Sequence, residues 1–376
     1  MEYKPVRVII SGGGTGGHIF PAISIASKFK ELNPDSEILF VGAEGRMEME
    51  KVPAAGFKIV GLKVAGLQRK KNLKNLLQNL RLPLRFVKSI RKARHIIKEF
   101  KPDIAIGVGG YASAPLLFAA TEMKIPTLIQ EQNGFAGLTN KMLGRRVDKI
   151  CVAYEGMDKF FPKEKIVMSG NPIRKLIVPC TPQMKAEGIE FYGMDPSKKH
   201  LLVVGGSLGS GTLNNAMKKW IEDGCPGGEY VEVLWQCGKY YKGSIDAFME
   251  KYKDNCPNIH YSEFISRMAL AYAMADVVIS RSGASSISEL CAARKAAIFV
   301  PSPNVAEDHQ THNAMALVRK DAGMIVKDSE AVEKLMGVAL DLLDNPEKIQ
   351  EMESNIAKLA KMDAGTVIVE EAYKLL

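Results

Sequence analysis

The chain has 376 residues, 46% of them hydrophobic and 25% charged, with a formal net charge of +9. That length suits two domains, and that mix excludes a disordered chain, which could not bury a core. No apolar run approaches the roughly 18 residues of a membrane-spanning helix, the first residues are no signal peptide, and the six cysteines form no C-x-x-C pair, so the reading is a reduced, cytoplasmic protein with neither zinc site nor disulfide framework.

Short β-rich runs alternate with helical patterns along the first half, which predicts strands over 6–10, 37–42, 103–108, 126–130, 149–152 and 165–168. The second half repeats the rhythm at 200–204, 230–236, 258–261, 276–280, 296–300 and 323–326. Continuous rather than alternating apolar strands, separated by helices, indicate parallel sheets covered on both faces. Two such halves predict an α/β fold of two doubly wound, Rossmann-like domains separated by a cleft. The boundary is expected near Ser169-Gly170-Asn171-Pro172, where Gly and Pro end a strand and block an immediate helix. A last helical stretch, about 347–376, could pack on either domain.

The positive charge is concentrated. Between Arg69 and Lys101 stand twelve Lys and Arg against one acid, Glu99, and the rest of the chain holds 39 basic against 41 acidic residues. Leu73, Leu76, Leu77, Leu80, Leu84, Phe86, Val87 and Ile90 run through this segment at largely helical spacing, interrupted by Pro83. A basic amphipathic stretch suits an anionic membrane surface, where each Lys or Arg near the headgroups is worth about 1 kcal/mol. Its plainer explanation is a helix with leucines on the core and a solvated basic face. Nucleic acid is disfavoured as a partner, because no stacking aromatics or known nucleic-acid motif accompanies the charge.

Three glycine loops follow strands. The first, Ser11-Gly12-Gly13-Gly14-Thr15-Gly16-Gly17-His18, formally satisfies G-x-G-x-x-G. A dinucleotide site also needs an acid ending the second strand to hold the ribose; that strand ends at Gly42, and Glu44 comes too late. No G-K-[ST] is present, which removes the Walker alternative. What remains is a strand–glycine–helix turn that offers backbone N–H groups to a phosphate or sugar. Gly205 to Gly211 forms an equivalent loop in the second half, and Gly107-Val108-Gly109-Gly110-Tyr111 ends another first-half strand. After the strand at 276–280, Ser286 and Glu289 have capping-box spacing, so Glu289 either caps a helix or accepts hydrogen bonds from ligand hydroxyls. A polar cluster at Glu307-Asp308-His309-Gln310 follows a further strand. No D-x-D or H-E-x-x-H occurs, so no catalytic metal is expected. His18, on the first glycine loop, is a general-base candidate because its ordinary pKa lies near 6.5.

Taken together, Gly13-Gly14-Thr15-Gly16-Gly17-His18-Ile19-Phe20-Pro21-Ala22, Gly109-Gly110-Tyr111-Ala112-Ser113, Glu131 to Asn140, Gly170-Asn171-Pro172-Ile173-Arg174, Gly205-Gly206-Ser207-Leu208-Gly209, Phe264-Ile265, Arg281-Ser282-Gly283-Ala284 with Ser288-Glu289, and Asp308-His309-Gln310 form an ordered series. The series resembles the MurG family of peptidoglycan glycosyltransferases. The resemblance implies a glycosyltransferase-B fold and an inverting transfer of N-acetylglucosamine that needs no metal or cofactor. The donor would be UDP-GlcNAc, and the acceptor the 4-hydroxyl of the N-acetylmuramoyl-pentapeptide unit of an undecaprenyl-linked lipid (lipid I), giving lipid II for cell-wall synthesis. It further implies a peripheral enzyme on the cytoplasmic face of the inner membrane, with an acceptor domain over 1–170 rejoined by a helix at about 358–376, and a donor domain over 171–357.

Carried over position by position, the resemblance makes His18 the base and gives Thr15, Gly16, Gly17 and Asn133 to the sugar and acceptor side. Ile265 would meet the uracil through its backbone, and Glu289 would hold the ribose hydroxyls. Ser207 and Arg174 would address the diphosphate, and Gln310 the GlcNAc hydroxyls. Arg281 and the run Ala284, Ser285, Ser286, Ile287, Ser288 complete the donor side, with the helix N-terminus stabilising the leaving UDP. The basic segment 69–101 then becomes the membrane-docking face. Two competing readings are a UDP-sugar transferase of the same fold acting on another lipid, such as diacylglycerol, and a scaffold that keeps the fold without turnover.

Overall fold

Val8, Ile9 and Ile10 have no exposed surface and occupy the middle of β1 (Arg7–Gly12), an inner strand of the first sheet. The computed structural model describes residues 3–64, 82–206, 208–252 and 256–376. The chain divides into two units, Met1–Ile173 with Met362–Leu376, and Arg174–Lys361.

In the first unit β1 is joined by β2 (Glu37–Ala43), β3 (Lys58–Leu62), β4 (Ile104–Gly109), β5 (Thr127–Glu131), β6 (Lys149–Val152) and β7 (Ile166–Met168). All pairings are parallel, in the order β3-β2-β1-β4-β5-β6-β7. Every residue of β4 and β5 is buried, as strands covered on both faces require. One face is covered by α1 (Gly16–Leu32), which buries Ile19, Ala22, Ile25, Ala26 and Phe29 at helical spacing. Glu48 to Ala54 forms the short helix α2. The opposite face is covered by α3 (Leu82–Phe100), α4 (Ser113–Glu122) and α5 (Leu138–Leu143), whose Ala93, Ile97, Leu116, Leu117 and Leu143 share a core with Ile9 and Ile129.

The second unit holds β8 (Lys199–Val204), β9 (Val231–Gln236), β10 (Ile259–Ser262), β11 (Val277–Ser280), β12 (Ala297–Phe299) and β13 (Met324–Ile325), again all parallel, in the order β10-β9-β8-β11-β12-β13. Its helices are α6 (Pro182–Tyr192), α7 (Gly211–Glu222), α8 (Lys242–Tyr252), α9 (Met268–Met274), α10 (Ala284–Ala293), α11 (His309–Val318), α12 (Asp328–Leu343) and α13 (Pro346–Ala357). The α7 helix starts at Ser210, whose hydroxyl accepts from the Leu213 amide at 3.3 Å, and it buries Leu213, Ala216, Met217, Trp220 and Ile221. Trp235 is fully buried on β9, and its indole N–H donates to Asn214 Oδ1 at 3.0 Å.

Three sequence expectations change. The β3 strand is not among those the sequence predicts, because its run at the edge of the sheet is only five residues long, starts with Lys58 and is broken by Gly61. The last helical stretch is two helices, α13 in the second unit and α14 (Ala364–Tyr373) in the first. Ile368, Val369 and Ala372 of α14 are fully buried in one cluster with Val8 and Phe29, and the Tyr373 hydroxyl donates to the Lys4 carbonyl at 2.7 Å. The basic segment is part helix: 82–100 is α3, and 69–81 lies outside the described residues.

Candidate active site

In a doubly wound sheet, ligands bind beyond the carboxyl ends of the strands, where the strand order reverses. In the first unit that point lies between β1 and β4, and the loops leaving them are the first and third glycine loops. They touch: the Gly13 amide donates to the Gly109 carbonyl at 3.3 Å. Gly110 has φ +89°, and a Cβ there would come within 2.3 Å of the Gly13 oxygen, so the two loops can meet only through glycine.

Thr15 is the N-cap residue of α1, with Gly16, Gly17 and His18 in its first turn. The half-buried His18 places Nδ1 3.1 Å from the Gly13 carbonyl oxygen and 3.4 Å from Thr15 Oγ1. A carbonyl can only accept, so this geometry suits a ring with its proton on Nδ1, which in a neutral imidazole leaves the lone pair on Nε2.

Asn133 follows β5, on a loop that Glu131 organises. This buried carboxylate accepts from Asn133 N at 3.1 Å, Asn133 Nδ2 at 3.3 Å, Gly137 N at 3.0 Å and Asn140 Nδ2 at 2.9 Å. Sequence reasoning gave Glu131 no role. A carboxylate ending a strand six residues before a glycine was the available signal.

In the second unit the reversal lies between β8 and β11. Ser207, on the loop after β8, lies outside the described residues. Ile265 is buried on the segment after β10. Gly283 caps α10, so Ala284, Ser285 and Ser286 form its first turn and Ile287, Ser288 and Glu289 follow. The capping-box reading of Ser286 and Glu289 fails, because the helix begins earlier than that spacing requires. Glu289 instead holds Arg174, which donates from Nε and Nη2 at 2.6 Å each. Beneath the pair, the buried Tyr272 hydroxyl donates to Glu289 Oε2 at 3.4 Å. Burial and the Glu289 charge push the Tyr272 phenol well above its ordinary range, which keeps it a donor. Hydrogen bonding to Glu289 likewise raises the Arg174 guanidinium, which stays charged.

Arg281 does not stand clear for a ligand: its Nη1 donates to the Val300 carbonyl at 2.9 Å and to Asp328 at 2.5 Å, tying the ends of β11 and β12 to α12. Gln310 accepts from the Ser302 amide at 2.8 Å at the start of α11, behind a turn that holds Glu307 and Asp308 at φ +55° and +48°. Two successive non-glycine residues in that region cost of order 1–3 kcal/mol each, a strain typical of ligand-binding loops. Among the described residues no three His, Cys, Asp or Glu side chains gather as a metal ligand set, and no helix is long and apolar enough to cross a membrane.

The N-terminal domain of glycosyltransferase family 28 matches residues 8–152, and the C-terminal domain of the same family matches 200–366. A Bacteroides fragilis protein named UDP-N-acetylglucosamine–N-acetylmuramyl-(pentapeptide) pyrophosphoryl-undecaprenol N-acetylglucosamine transferase is 52% identical, over 98% of this chain and 96% of that protein. The chain belongs to the MurG family, within glycosyltransferase family 28. A Cytophaga hutchinsonii member with the same name is 50% identical over the whole of this chain and 98% of its own. The crystal structure of Acinetobacter baumannii MurG superposes with a TM-score of 0.78 at 28% identity, covering 98% of this chain and all of that one. The two parallel sheets are thus those of a glycosyltransferase-B fold, and the MurG-family chain is a glycosyltransferase. The dinucleotide alternative set aside on Glu44 gains nothing, since Glu44 is engaged by Lys92 at 3.1 Å.

Proposed function

We propose that the chain transfers N-acetylglucosamine from UDP-GlcNAc to the 4-hydroxyl of the N-acetylmuramoyl-pentapeptide carried on undecaprenyl diphosphate, giving lipid II with inversion and without a metal. The observation that carries this reading is 52% identity, over nearly the full length of both chains, to a transferase named for that donor and acceptor. The loops at the reversal points of both sheets support it with matching chemistry.

His18 is the base. With Nδ1–H committed to the Gly13 carbonyl, Nε2 takes the proton of the acceptor hydroxyl as its oxygen bonds to the sugar C1. The C1–O bond to the diphosphate breaks, and UDP leaves with the electron pair. Thr15, Gly16, Gly17 and Asn133 hold the sugar and acceptor beside that nitrogen.

On the donor side, Glu289 accepts from the ribose hydroxyls, and the backbone of Ile265 meets the uracil. Arg174 serves the diphosphate through Nη1, which takes no part in its fork on Glu289. The α10 N-terminus, residues 284–286, adds backbone N–H groups and the positive end of its dipole to the departing charge. Ser207 joins the diphosphate and Gln310 the GlcNAc hydroxyls. Arg281 completes the donor side while its Nη1, bound to Asp328, holds the loop.

The chain works as a peripheral protein on the cytoplasmic face of the membrane, docked through 69–101. Within α3, Ala93 and Ile97 face the core, while Leu84 and Val87 are 68% and 47% exposed beside the exposed Arg85, Lys88 and Arg91. Apolar side chains amid cations suit an anionic headgroup layer.

The test offers purified enzyme UDP-GlcNAc or UDP-galactose as donor, and a short-chain lipid I analogue or diacylglycerol as acceptor. Transfer from UDP-GlcNAc to the lipid I analogue alone is expected. Transfer only to diacylglycerol, or donor binding without any transfer, would overturn the reading.

A further inference from the structure

Behind the first glycine loop lies a carboxylate that the reaction as described does not use. Glu48, in the first turn of α2, is fully buried. Its Oε1 accepts from the Ala43 amide at the end of β2 at 3.0 Å, and its Oε2 accepts from the Gly14 amide at 3.0 Å. The fit is close: a Cβ on Gly13 would lie 2.2 Å from Glu48 Oε1, so the loop accepts this carboxylate only because residue 13 has no side chain.

The Gly14 N–H and the Gly13 C=O belong to one peptide group. In a trans peptide they point in opposite directions, and the group is planar and stiff. Glu48 grips the N–H end, and His18 Nδ1 sits 3.1 Å from the oxygen at the other end. Holding one end therefore fixes the direction of the other. A carboxylate on the N–H also polarises the peptide and makes its carbonyl a stronger acceptor. A negative charge behind the loop further makes it a poor phosphate cradle, unlike an ordinary glycine loop at a helix N-terminus.

We infer that Glu48 is a positioning residue for the transfer: it acts through the Gly13–Gly14 peptide to hold His18 as its Nδ1–H tautomer, with Nε2 as the proton acceptor. The arrangement does the work of a carboxylate bonded directly to an imidazole, with one peptide group between them. The inference rests on the reading of His18 as the base.

The experiment uses the full chain labelled with ¹⁵N-histidine, above neutral pH, with His18→Ala identifying the resonances. Wild-type His18 is expected as the Nδ1–H tautomer. Glu48→Gln keeps the shape but turns an N–H donor toward one of the two backbone amides. It is expected to give mixed tautomers and to lower kcat about 10–100-fold, the usual cost of losing such a partner. The KM for UDP-GlcNAc should stay within about twofold, because the loss is confined to the chemical step. The His18→Ala/Glu48→Gln double variant should be no slower than His18→Ala alone, since residues acting as a unit do not add.

A wild-type ring protonated on Nε2 overturns the inference, as do an unchanged tautomer and kcat in Glu48→Gln, or losses that multiply in the double variant. The wild-type spectrum needs no variant, so the inference stays testable should Glu48→Gln fail to fold. Full transfer by His18→Ala would instead remove the base reading, and the tautomer measurement would still decide whether Glu48 fixes the ring.

Discussion

Glu289 is 7% exposed, and it is satisfied by two bonds from Arg174 and one from Tyr272. Two parallel N–H···O bonds demand the planar fork of a guanidinium, which a lysine ammonium lacks. Arg174→Lys is therefore expected to raise the KM for UDP-GlcNAc about tenfold, equivalent to about 1.4 kcal/mol, while leaving the fold intact. The Arg174 side chain is half exposed, so the stability cost should stay near 1 kcal/mol. Glu289→Gln should weaken UDP binding itself, because the amide replaces a charged acceptor with a mixed donor and acceptor. Calorimetric titration with UDP checks both; unchanged binding in Glu289→Gln would remove Glu289 from the ribose site.

Between β8 and β11, Asp276 accepts from the His200 amide at 2.8 Å and is bonded by Lys185. Burial alone would raise its carboxyl, but the bonds from His200 and Lys185 outweigh burial and hold it well below the usual carboxylate range. A folded-state value below the unfolded one stabilises the protein at any pH above the ordinary Asp value of about 3.9, and that contribution is lost as the pH falls further. Urea unfolding of the wild type should show stability dropping below about pH 4, and Asp276→Asn should flatten that drop; equal slopes would contradict it. In α3, reversing Arg85, Lys88 and Arg91 to Glu should abolish sedimentation with anionic vesicles and leave UDP binding unchanged. The elements differ in how far they could be read from sequence. Inner strands such as β1, β4 and β9 were legible because burial on both faces leaves a continuous apolar run. The edge strand β3 was not, and neither was the role of Glu48 or Glu131. Glu48 is bonded by two backbone amides and Glu131 by two backbone and two asparagine amides, pairings that no local side-chain pattern announces. The ligand role proposed for Glu289 rests on its motif, and its local spacing pointed to a cap that the helix does not form.

The chain returns from the second unit to finish the first. The α14 helix buries Ile368, Val369 and Ala372 beside strands formed more than two hundred residues earlier. Burying such side chains contributes roughly 1.5–3 kcal/mol for each large one. Ending the chain at Lys361 should therefore destabilise the first unit by several kcal/mol, while the second keeps its UDP affinity; limited proteolysis should cut the first unit preferentially, and equal cutting would contradict this. On the larger scale, two parallel sheets supply two reversal points: His18, the proposed base, follows the first, and the Glu289–Arg174 pair and a helix N-terminus follow the second. The proposed single-displacement transfer inverts the sugar, so its stereochemistry tests the proposal. The deciding measurement is the anomeric configuration of the sugar transferred from α-linked UDP-GlcNAc to a lipid I analogue, in the presence of EDTA. A β-linked disaccharide is the predicted product. An α-linked product, or transfer that EDTA abolishes, would contradict the account.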